Sequence, residues 1–227
     1  MFTRSVLRHG RIERFRVGIN KRMKRFLDFL QEEIAHNRGL HVFDVDDTLF
    51  HTTAKIRVMK GKKHVGSLTN AEYNTHELPA GHHYDYTEFR SAEKFDTESK
   101  PNQRMLHKMK QLHTKAKATG GKVIINTARA DFDDKDKFLG TFRKHGVDID
   151  NIHVHRAGNL KSGGTVAERK ASIIRDHLKS GNYSHVSLYD DSEHNLHHFL
   201  ELKKEFPHIR FNAHHVKPDG KSRRYTG

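Results

Sequence analysis

The chain of 227 residues contains no cysteine, which excludes disulfides, thiolate metal sites and a cysteine nucleophile. Apolar residues make up 34% of it and include 14 phenylalanines, enough for a folded core, but no apolar run approaches the roughly 18 residues that a transmembrane helix needs. Lys and Arg number 42 against 28 Asp and Glu, and this net charge of +14 favours anionic partners such as nucleic acid or nucleotides.

Residues 1–39 are predicted to form a basic N-terminal extension, since they hold ten Lys and Arg but only four acids. An amphipathic helix is predicted over about 18–36, because apolar side chains recur there at helical spacing. We expect this helix to dock on the domain that follows it, or to cover a surface of that domain, rather than to lie on a membrane. The apolar side chains are Phe26, Phe29, Leu30 and Ile34.

From residue 40 to residue 215, short apolar runs alternate with helical patterns. Such alternation predicts an α/β domain with a mainly parallel, Rossmann-like sheet and helices on both faces. The predicted strands are 41–43, 122–125, 152–155, 185–189 and 209–213, and the predicted helices are 101–118, 133–145, 165–179 and 193–205.

Two segments depart from this alternation. Residues 51–100 are polar and irregular, with a hairpin pattern at 56–65, and we predict that they form a small cap or flap insertion. The five basic side chains at 55–63 are candidates for phosphate contacts, with a solvated hairpin as the alternative. Residues 216–227 are predicted to be a basic tail.

Carboxylates follow two of the predicted strands directly. Asp44, Asp46 and Asp47 come after the first strand, and Asp190 and Asp191 come after the strand at 185–189. If these strands are neighbours, their carboxyl ends open onto one crevice, where ligands bind in parallel α/β sheets. Crowded carboxylates repel one another, and their oxygens suit Mg²⁺. The alternative is that each aspartate only caps a helix or makes a turn.

Four segments in chain order resemble the signatures of the haloacid dehalogenase (HAD) superfamily. The match extends over residues 40–192, and the chain is also similar to small phage and bacterial HAD proteins. The small cap and the Thr-x-Arg pattern further resemble the 3′-phosphatase half of bacteriophage polynucleotide kinase-phosphatases. The four segments are Asp44-x-Asp46-x-Thr48-Leu49, then Thr127-Ala128-Arg129 after a strand, then Lys170, and then Asp190-Asp191.

The resemblance implies a phosphatase with Asp44 as the nucleophile that forms an aspartyl-phosphate. Asp46 would protonate the leaving oxygen and then activate water. Thr127 and Lys170 would complete the catalytic set. The resemblance also implies substrate contacts from Thr127, Ala128, Arg129 and Lys170, and a Mg²⁺ site formed by Asp44, the backbone carbonyl of Asp46, Asp190 and Asp191.

Two assignments have alternatives in the sequence. Lys161 competes with Lys170 for the third signature, although its distance of 29 residues from Asp190 is less typical of the superfamily. Asp47 stands where many members carry Gly, and we expect it to make hydrogen bonds in the turn rather than to bind metal.

The charge and the resemblance together predict a Mg²⁺-dependent phosphomonoester hydrolase acting on a nucleotide or a nucleic-acid end. The expected partners are this substrate and nucleic acid bound non-specifically through the basic surface. A cytoplasmic location is expected, in a bacterial or phage-infected cell. The alternatives are a phosphatase of a small metabolite and a non-catalytic nucleic-acid-binding module on the same fold.

Overall fold

The computed structural model describes residues 21–227 except residues 74, 162 and 163. The chain divides into two units, 1–33 and 34–227. An α-helix, α1 (Lys21–His36), confirms the predicted N-terminal helix, whose expected first residues, 18–20, lie outside the described residues. The large apolar side chains of α1 are exposed, namely Met23, Phe26, Leu27, Phe29 and Leu30.

Strands and helices alternate through the rest of the described chain. The further helices are α2 (Asn70–Tyr73), α3 (Ala92–Glu98), α4 (Gln103–Thr119), α5 (Lys135–Lys144), α6 (Val166–Ser180) and α7 (Glu193–Glu201). The strands are β1 (Gly39–Phe43), β2 (Phe50–His51), β3 (Ile56–Lys60), β4 (Lys63–Leu68), β5 (His82–Asp85), β6 (Lys100–Pro101), β7 (Lys122–Thr127), β8 (His153–Arg156), β9 (His185–Asp190), β10 (Arg210–Val216) and β11 (Ser222–Tyr225).

In the described part of the chain, the central sheet has six strands in the order β11–β10–β9–β1–β7–β8. All neighbours in it are parallel except β11, which pairs antiparallel with β10. Every residue of the central strand β1 is buried, as expected for a strand covered on both faces. The predicted α/β class with a mainly parallel sheet is therefore confirmed.

Helices cover both faces of this sheet because side chains of a strand alternate between them. Phe43 of β1 belongs to a core cluster that includes Phe95 of α3, Met109 of α4 and Phe142 of α5. On the other face, the neighbouring Val42 joins a cluster with residues of the last two helices, α6 and α7. The members from those helices include Ile174, Leu178, Leu196 and Phe199.

The insertion at 51–100 contains a second, smaller sheet, and we call this insertion the cap. Its strands make an antiparallel sheet in the order β4–β3–β5, and the hairpin predicted at 56–65 is confirmed. A small core of its own lies beneath this sheet, with Ile56 and Phe89 as members. The short antiparallel pair β2–β6 joins Phe50 to Pro101, so the two ends of the cap meet at one stem.

Some helix ends differ from the predictions for identifiable reasons. The helix predicted from 133 begins at Lys135, because the Asp134 side chain caps it by accepting from the Lys137 N–H at 2.9 Å. The helix predicted to reach residue 205 becomes a 3₁₀ turn at Leu202–Lys204. The segment predicted as a basic tail contains β11, reached through a turn at Gly220, where φ is +76°. Within the described residues, no helix is both long enough and apolar enough to span a membrane.

Candidate active site

The loop after β1 is a tight turn that holds two buried carboxylates. The Asp44 N–H donates to the Tyr189 carbonyl at 3.0 Å, and the Leu49 N–H donates to Val45 at 2.9 Å. Asp47 adopts the left-handed conformation, with φ +56°, which Asp tolerates better than most residues. Its carboxylate accepts from Asn70 Nδ2 at 3.3 Å. The turn leaves Asp44 and Asp46 buried.

The two acidic strand ends meet in space. Phe43 stands opposite Tyr189 in the parallel pair β1–β9, so the next residues, Asp44 and Asp190, leave the sheet side by side. Asp44, Asp190 and Asp191 each offer a carboxylate oxygen within 4.8 Å of the others. The expectation that the strand at 185–189 neighbours the first strand is confirmed, and a three-carboxylate cluster results.

Lys170 of α6 lies between two of these carboxylates. Its Nζ donates to Asp44 Oδ1 at 2.7 Å and to Asp190 Oδ2 at 3.0 Å, and the side chain is buried. Burial lowers the pKa of Lys170, but the negative charges of Asp190 and Asp44 outweigh burial and raise it above its usual value. Lys161, the alternative lysine, is exposed. The structure thus brings Lys170 to the cluster as a buried cation.

Burial and like charge act together on the carboxylates. Burial raises the pKa of Asp44 to about 7, and Asp190 and Asp46 add to this effect while Lys170 opposes it. Burial and the charge of Asp190 likewise raise the pKa of Asp191 well above its ordinary value. With all three carboxylates ionised and Lys170 charged, the cluster would carry a net charge of −2, and the raised pKa values of Asp44 and Asp191 reflect burial together with this excess of negative charge.

A divalent cation fits this donor set. All the converging atoms are hard carboxylate oxygens, which suit Mg²⁺, and the local excess of negative charge is what a cation removes. Asp44, Asp190 and Asp191 are the residues that would hold it. A sulfur or histidine ligand, which would favour a softer metal, is absent from this group of described residues.

Asp190 is held in place on both sides. One oxygen, Oδ2, receives Lys170, and the other, Oδ1, accepts from the Ser192 N–H at 3.0 Å and from Asn195 Nδ2 at 2.9 Å. Sequence reasoning did not select Asn195. A signal was available, because Ser192 caps α7 and thereby places Asn195 in the first turn beside Asp190. Asp191 is less enclosed and lines the adjacent cavity.

Asp46 forms a buried ion pair with Arg129. The guanidinium donates from Nε to Oδ2 at 2.9 Å and from Nη2 to Oδ1 at 2.6 Å, the two-point geometry of an Arg–carboxylate pair. Nη1 donates to the Phe89 carbonyl at 2.8 Å, and Nη2 also reaches Thr52 Oγ1 at 3.1 Å. The guanidinium lies 4.8 Å from the ring centre of Phe89 and 4.9 Å from that of Phe95.

The loop after β7 carries the remaining predicted residues. Thr127 is fully buried and its Oγ1 accepts from the Arg129 N–H at 3.2 Å, whereas Ala128 and Arg129 line the cavity. Gly158 packs against this loop, so that a Cβ there would lie 2.5 Å from the Ala128 carbonyl oxygen. Gly158 is a second residue that sequence reasoning missed, and only the three-dimensional contact identifies it.

A cavity of about 590 Å³ opens beside these residues. Its lining includes Asp44, Asp46, Asp191, Arg129 and Lys170. The cap and the first turn of α6 provide much of the rest, including Tyr73, Tyr84, Tyr86, Arg90, Thr165 and Arg169. The cavity therefore joins the acidic cluster to the cap.

Comparisons with known proteins give one structural resemblance. The chain is similar to the HAD domain of the effector protein Lem4 from Legionella pneumophila, with 13% sequence identity and a TM-score of 0.44, over 80% of this chain and 88% of that one. We draw no conclusion from a resemblance this distant. No family model matches the chain, and no curated protein matches it.

Proposed function

We propose that this chain is a Mg²⁺-dependent phosphomonoester hydrolase that acts through Asp44. The observation that carries the proposal is the cluster itself: Asp44, Asp190 and Asp191 converge, a buried lysine contacts two of them, and a cavity opens onto them. The cluster is buried, has an excess of negative charge and lies at the carboxyl ends of parallel strands. Such a cluster destabilises the fold and is typical of a reaction centre. The resemblance of the sequence to HAD signatures supports the same reaction.

The proposed reaction has two steps at phosphorus. A carboxylate oxygen of Asp44 attacks the phosphorus, the ester P–O bond breaks, and the leaving oxygen takes a proton from Asp46. Both oxygens of Asp46 accept from Arg129 in the structure, so one of them must first leave Arg129 and take up this proton from solvent. Water then attacks the phosphorus of the aspartyl-phosphate, its proton passes to Asp46, and the bond to Asp44 breaks. Inorganic phosphate and the free carboxylate of Asp44 result.

The surrounding residues position this chemistry. Lys170 holds Asp44 by a hydrogen bond of 2.7 Å and supplies positive charge where the phosphate adds negative charge. Arg129 holds Asp46, and Ala128 and Arg129 line the cavity where a phosphate would bind. A bound Mg²⁺ would neutralise charge that develops on the phosphoryl oxygens. Asp44 could then attack without the repulsion of unshielded carboxylates.

A nucleotide or a nucleic-acid end is the substrate class that we propose. The net charge of +14 attracts polyanions, and two arginines, Arg90 and Arg169, lie in the cavity lining. A small metabolite is the alternative. The two differ in their response to salt, since affinity for a polynucleotide falls steeply with ionic strength and affinity for a small ester does not.

A phosphatase screen tests the proposal. Mononucleotides, 3′- and 5′-phosphorylated oligonucleotides and sugar phosphates are incubated with the protein in Mg²⁺ or in EDTA, and released phosphate is measured. We expect release in Mg²⁺, none in EDTA, and none with Asp44→Asn. The control Asp136→Asn makes the same change at an exposed position and should retain activity. Equal activity of Asp44→Asn and the wild type would refute the assigned nucleophile.

A further inference from the structure

An aromatic cluster of the cap belongs to the lining of the cavity. Tyr73, Tyr84 and Tyr86 lie with ring centres 4.9–6.1 Å apart, and His76 lies 5.8 Å from Tyr84. All four side chains belong to the cavity lining that also includes Asp44. We call these four residues the aromatic wall.

Hydrogen bonds within the wall hold its rings in place. The hydroxyls of Tyr73 and Tyr86 lie 2.8 Å apart, and the Tyr84 hydroxyl donates to the His76 carbonyl at 3.2 Å. His76 Nδ1 also lies 2.8 Å from the Tyr84 hydroxyl. The tyrosine hydroxyls are thus paired within the wall, Tyr73 with Tyr86 and Tyr84 with His76, and the rings present apolar surface beside the cavity.

Packing within the cap accounts for the positions of only some residues of the aromatic wall. Tyr73 and Tyr84 pack against the small cap core that contains Ile56 and Phe89. Tyr86 is 43% exposed, although it lines the cavity. An exposed aromatic ring in a cavity is available for a ligand, and base stacking on such a ring is a recurrent means of nucleotide recognition.

We propose that the planar base of a nucleoside phosphate stacks on Tyr86 of the aromatic wall while its phosphate lies at Asp44. This assignment rests on the proposed function and adds the chemical class of the leaving group. A cavity of about 590 Å³ is larger than one phenyl ring requires, and it lies within the roughly 300–1,000 Å³ of typical small-molecule sites.

Two substrates that differ only in the presence of the base measure how much base stacking contributes to catalysis. The specificity constant kcat/KM is measured for a nucleoside monophosphate and for the matching ribose phosphate without a base. In the wild type we expect the base to raise kcat/KM roughly tenfold. Mononucleotides and end-phosphorylated oligonucleotides are compared as separate arms, and these arms decide whether the base belongs to a free nucleotide or a strand end.

Variants of Tyr86 test whether this residue supplies the stacking surface. Tyr86→Phe keeps the ring and should keep the ratio of the two kcat/KM values, whereas Tyr86→Leu should reduce it to about 1. Leu78→Ala, at an exposed cap position outside the cavity lining, is the control and should preserve the ratio. A wild-type ratio of 1, or a ratio unchanged in Tyr86→Leu, would overturn the proposal. Preference for a phosphotyrosine peptide over every nucleotide would also overturn it.

A binding measurement separates failure of this inference from failure of the proposed function. Affinities of the same two ligands for Asp44→Asn are measured by calorimetry in the presence of Mg²⁺, with and without Tyr86→Leu. One outcome is that the wild type hydrolyses no substrate, yet the ligand with a base binds more tightly and Tyr86→Leu removes this difference. That outcome supports stacking on Tyr86 and refutes the proposed hydrolase. If the protein hydrolyses the substrates but neither the base nor Tyr86→Leu changes kcat/KM or affinity, only the proposed stacking on Tyr86 is refuted.

Discussion

Arg129 and Asp46 form a buried two-point ion pair in which the guanidinium is also hydrogen-bonded to the Phe89 carbonyl. Both side chains are almost completely enclosed, with exposures of 1% and 7%. The pair fixes the carboxylate that the proposed mechanism uses for proton transfer. It also links the main sheet to the cap, because Phe89 belongs to the small core of the cap.

Breaking this pair should cost much more stability than breaking a surface pair of the same form. Arg129→Gln leaves a buried carboxylate without its partner, and we expect a loss of about 3–5 kcal/mol in the free energy of unfolding. Arg143 and Asp150 are also joined by Nε at 3.0 Å and Nη2 at 2.6 Å but are exposed, so Arg143→Gln should cost far less stability than Arg129→Gln. Urea unfolding of both variants checks this, and equal losses would contradict it.

Mg²⁺ should stabilise the folded protein through the carboxylate cluster. A ligand that binds only the folded state at 100 times its dissociation constant adds about 2.7 kcal/mol, which raises Tm by roughly 5–10 °C for a chain of this size. EDTA should reverse the shift, and Asp191→Asn should largely abolish it. The matched surface variant Asp136→Asn should keep it. Tm is measured by differential scanning fluorimetry. If Mg²⁺ raises Tm equally in Asp191→Asn and Asp136→Asn, the ion binds elsewhere.

His41 of β1 should make stability depend on pH. Burial and nearby positive groups lower its pKa from 6.5 to about 4, so the unfolded chain binds a proton more readily than the folded one. The free energy of unfolding should therefore fall as pH drops from about 6.5 to about 4, and level off below that, by an amount on the order of 3 kcal/mol. The neighbouring groups that oppose its charge are His185, Lys115, Lys108 and His214.

His41→Leu should flatten this pH dependence. Urea unfolding between pH 4 and pH 7.5 gives the slope for the wild type and the variant. The control is His197→Leu on α7, where the side chain is exposed. An unchanged slope in His41→Leu would show that partly buried histidines account for the effect instead, such as His177, whose pKa is also lowered to about 4.

Two glycines should respond to alanine in opposite directions. A Cβ at Gly158 would lie 2.5 Å from the Ala128 carbonyl oxygen and 2.8 Å from the Ala130 nitrogen, so the loop that carries Arg129 must move. We expect Gly158→Ala to cost about 1–3 kcal/mol and to lower kcat/KM. Gly140 lies within α5 with open space around it, so Gly140→Ala should add about 0.5–1 kcal/mol. Unfolding and phosphatase assays measure both changes.

The acidic cluster could be predicted because its signal is local. Carboxylates that directly follow an apolar strand must emerge at the sheet edge, and the neighbour relation of β1 and β9 then brings Asp44 and Asp190 together. The sheet class followed for the same reason, from the alternation of apolar runs with helical patterns. The choice of Lys170 over Lys161 relied on the resemblance, since neither lysine has a distinguishing local pattern.

The rest depends on contacts between distant segments. The sequence indicated Arg129 as a substrate contact, but its pairing with Asp46, 83 residues earlier, has no periodic signature. The aromatic wall comes from residues in a helix, a loop and a strand of the cap, so no single pattern connects them. β11 was missed because its four residues, Ser222–Tyr225, are polar and form a strand by pairing with β10.

The stem of the cap has a consequence for how proteins of this architecture could diversify. Because Phe50 pairs with Pro101 and His51 with Lys100, the main chain leaves and re-enters the sheet domain through two adjacent backbone positions. The sheet β4–β3–β5 and its loops can be shortened, extended or exchanged. Phe89 and α3 stay with the carboxylates and the lysine, because the Phe89 carbonyl accepts from Arg129 and Phe95 packs in the main core. New substrate preferences could thus arise by changing that small sheet, without rebuilding the acidic cluster.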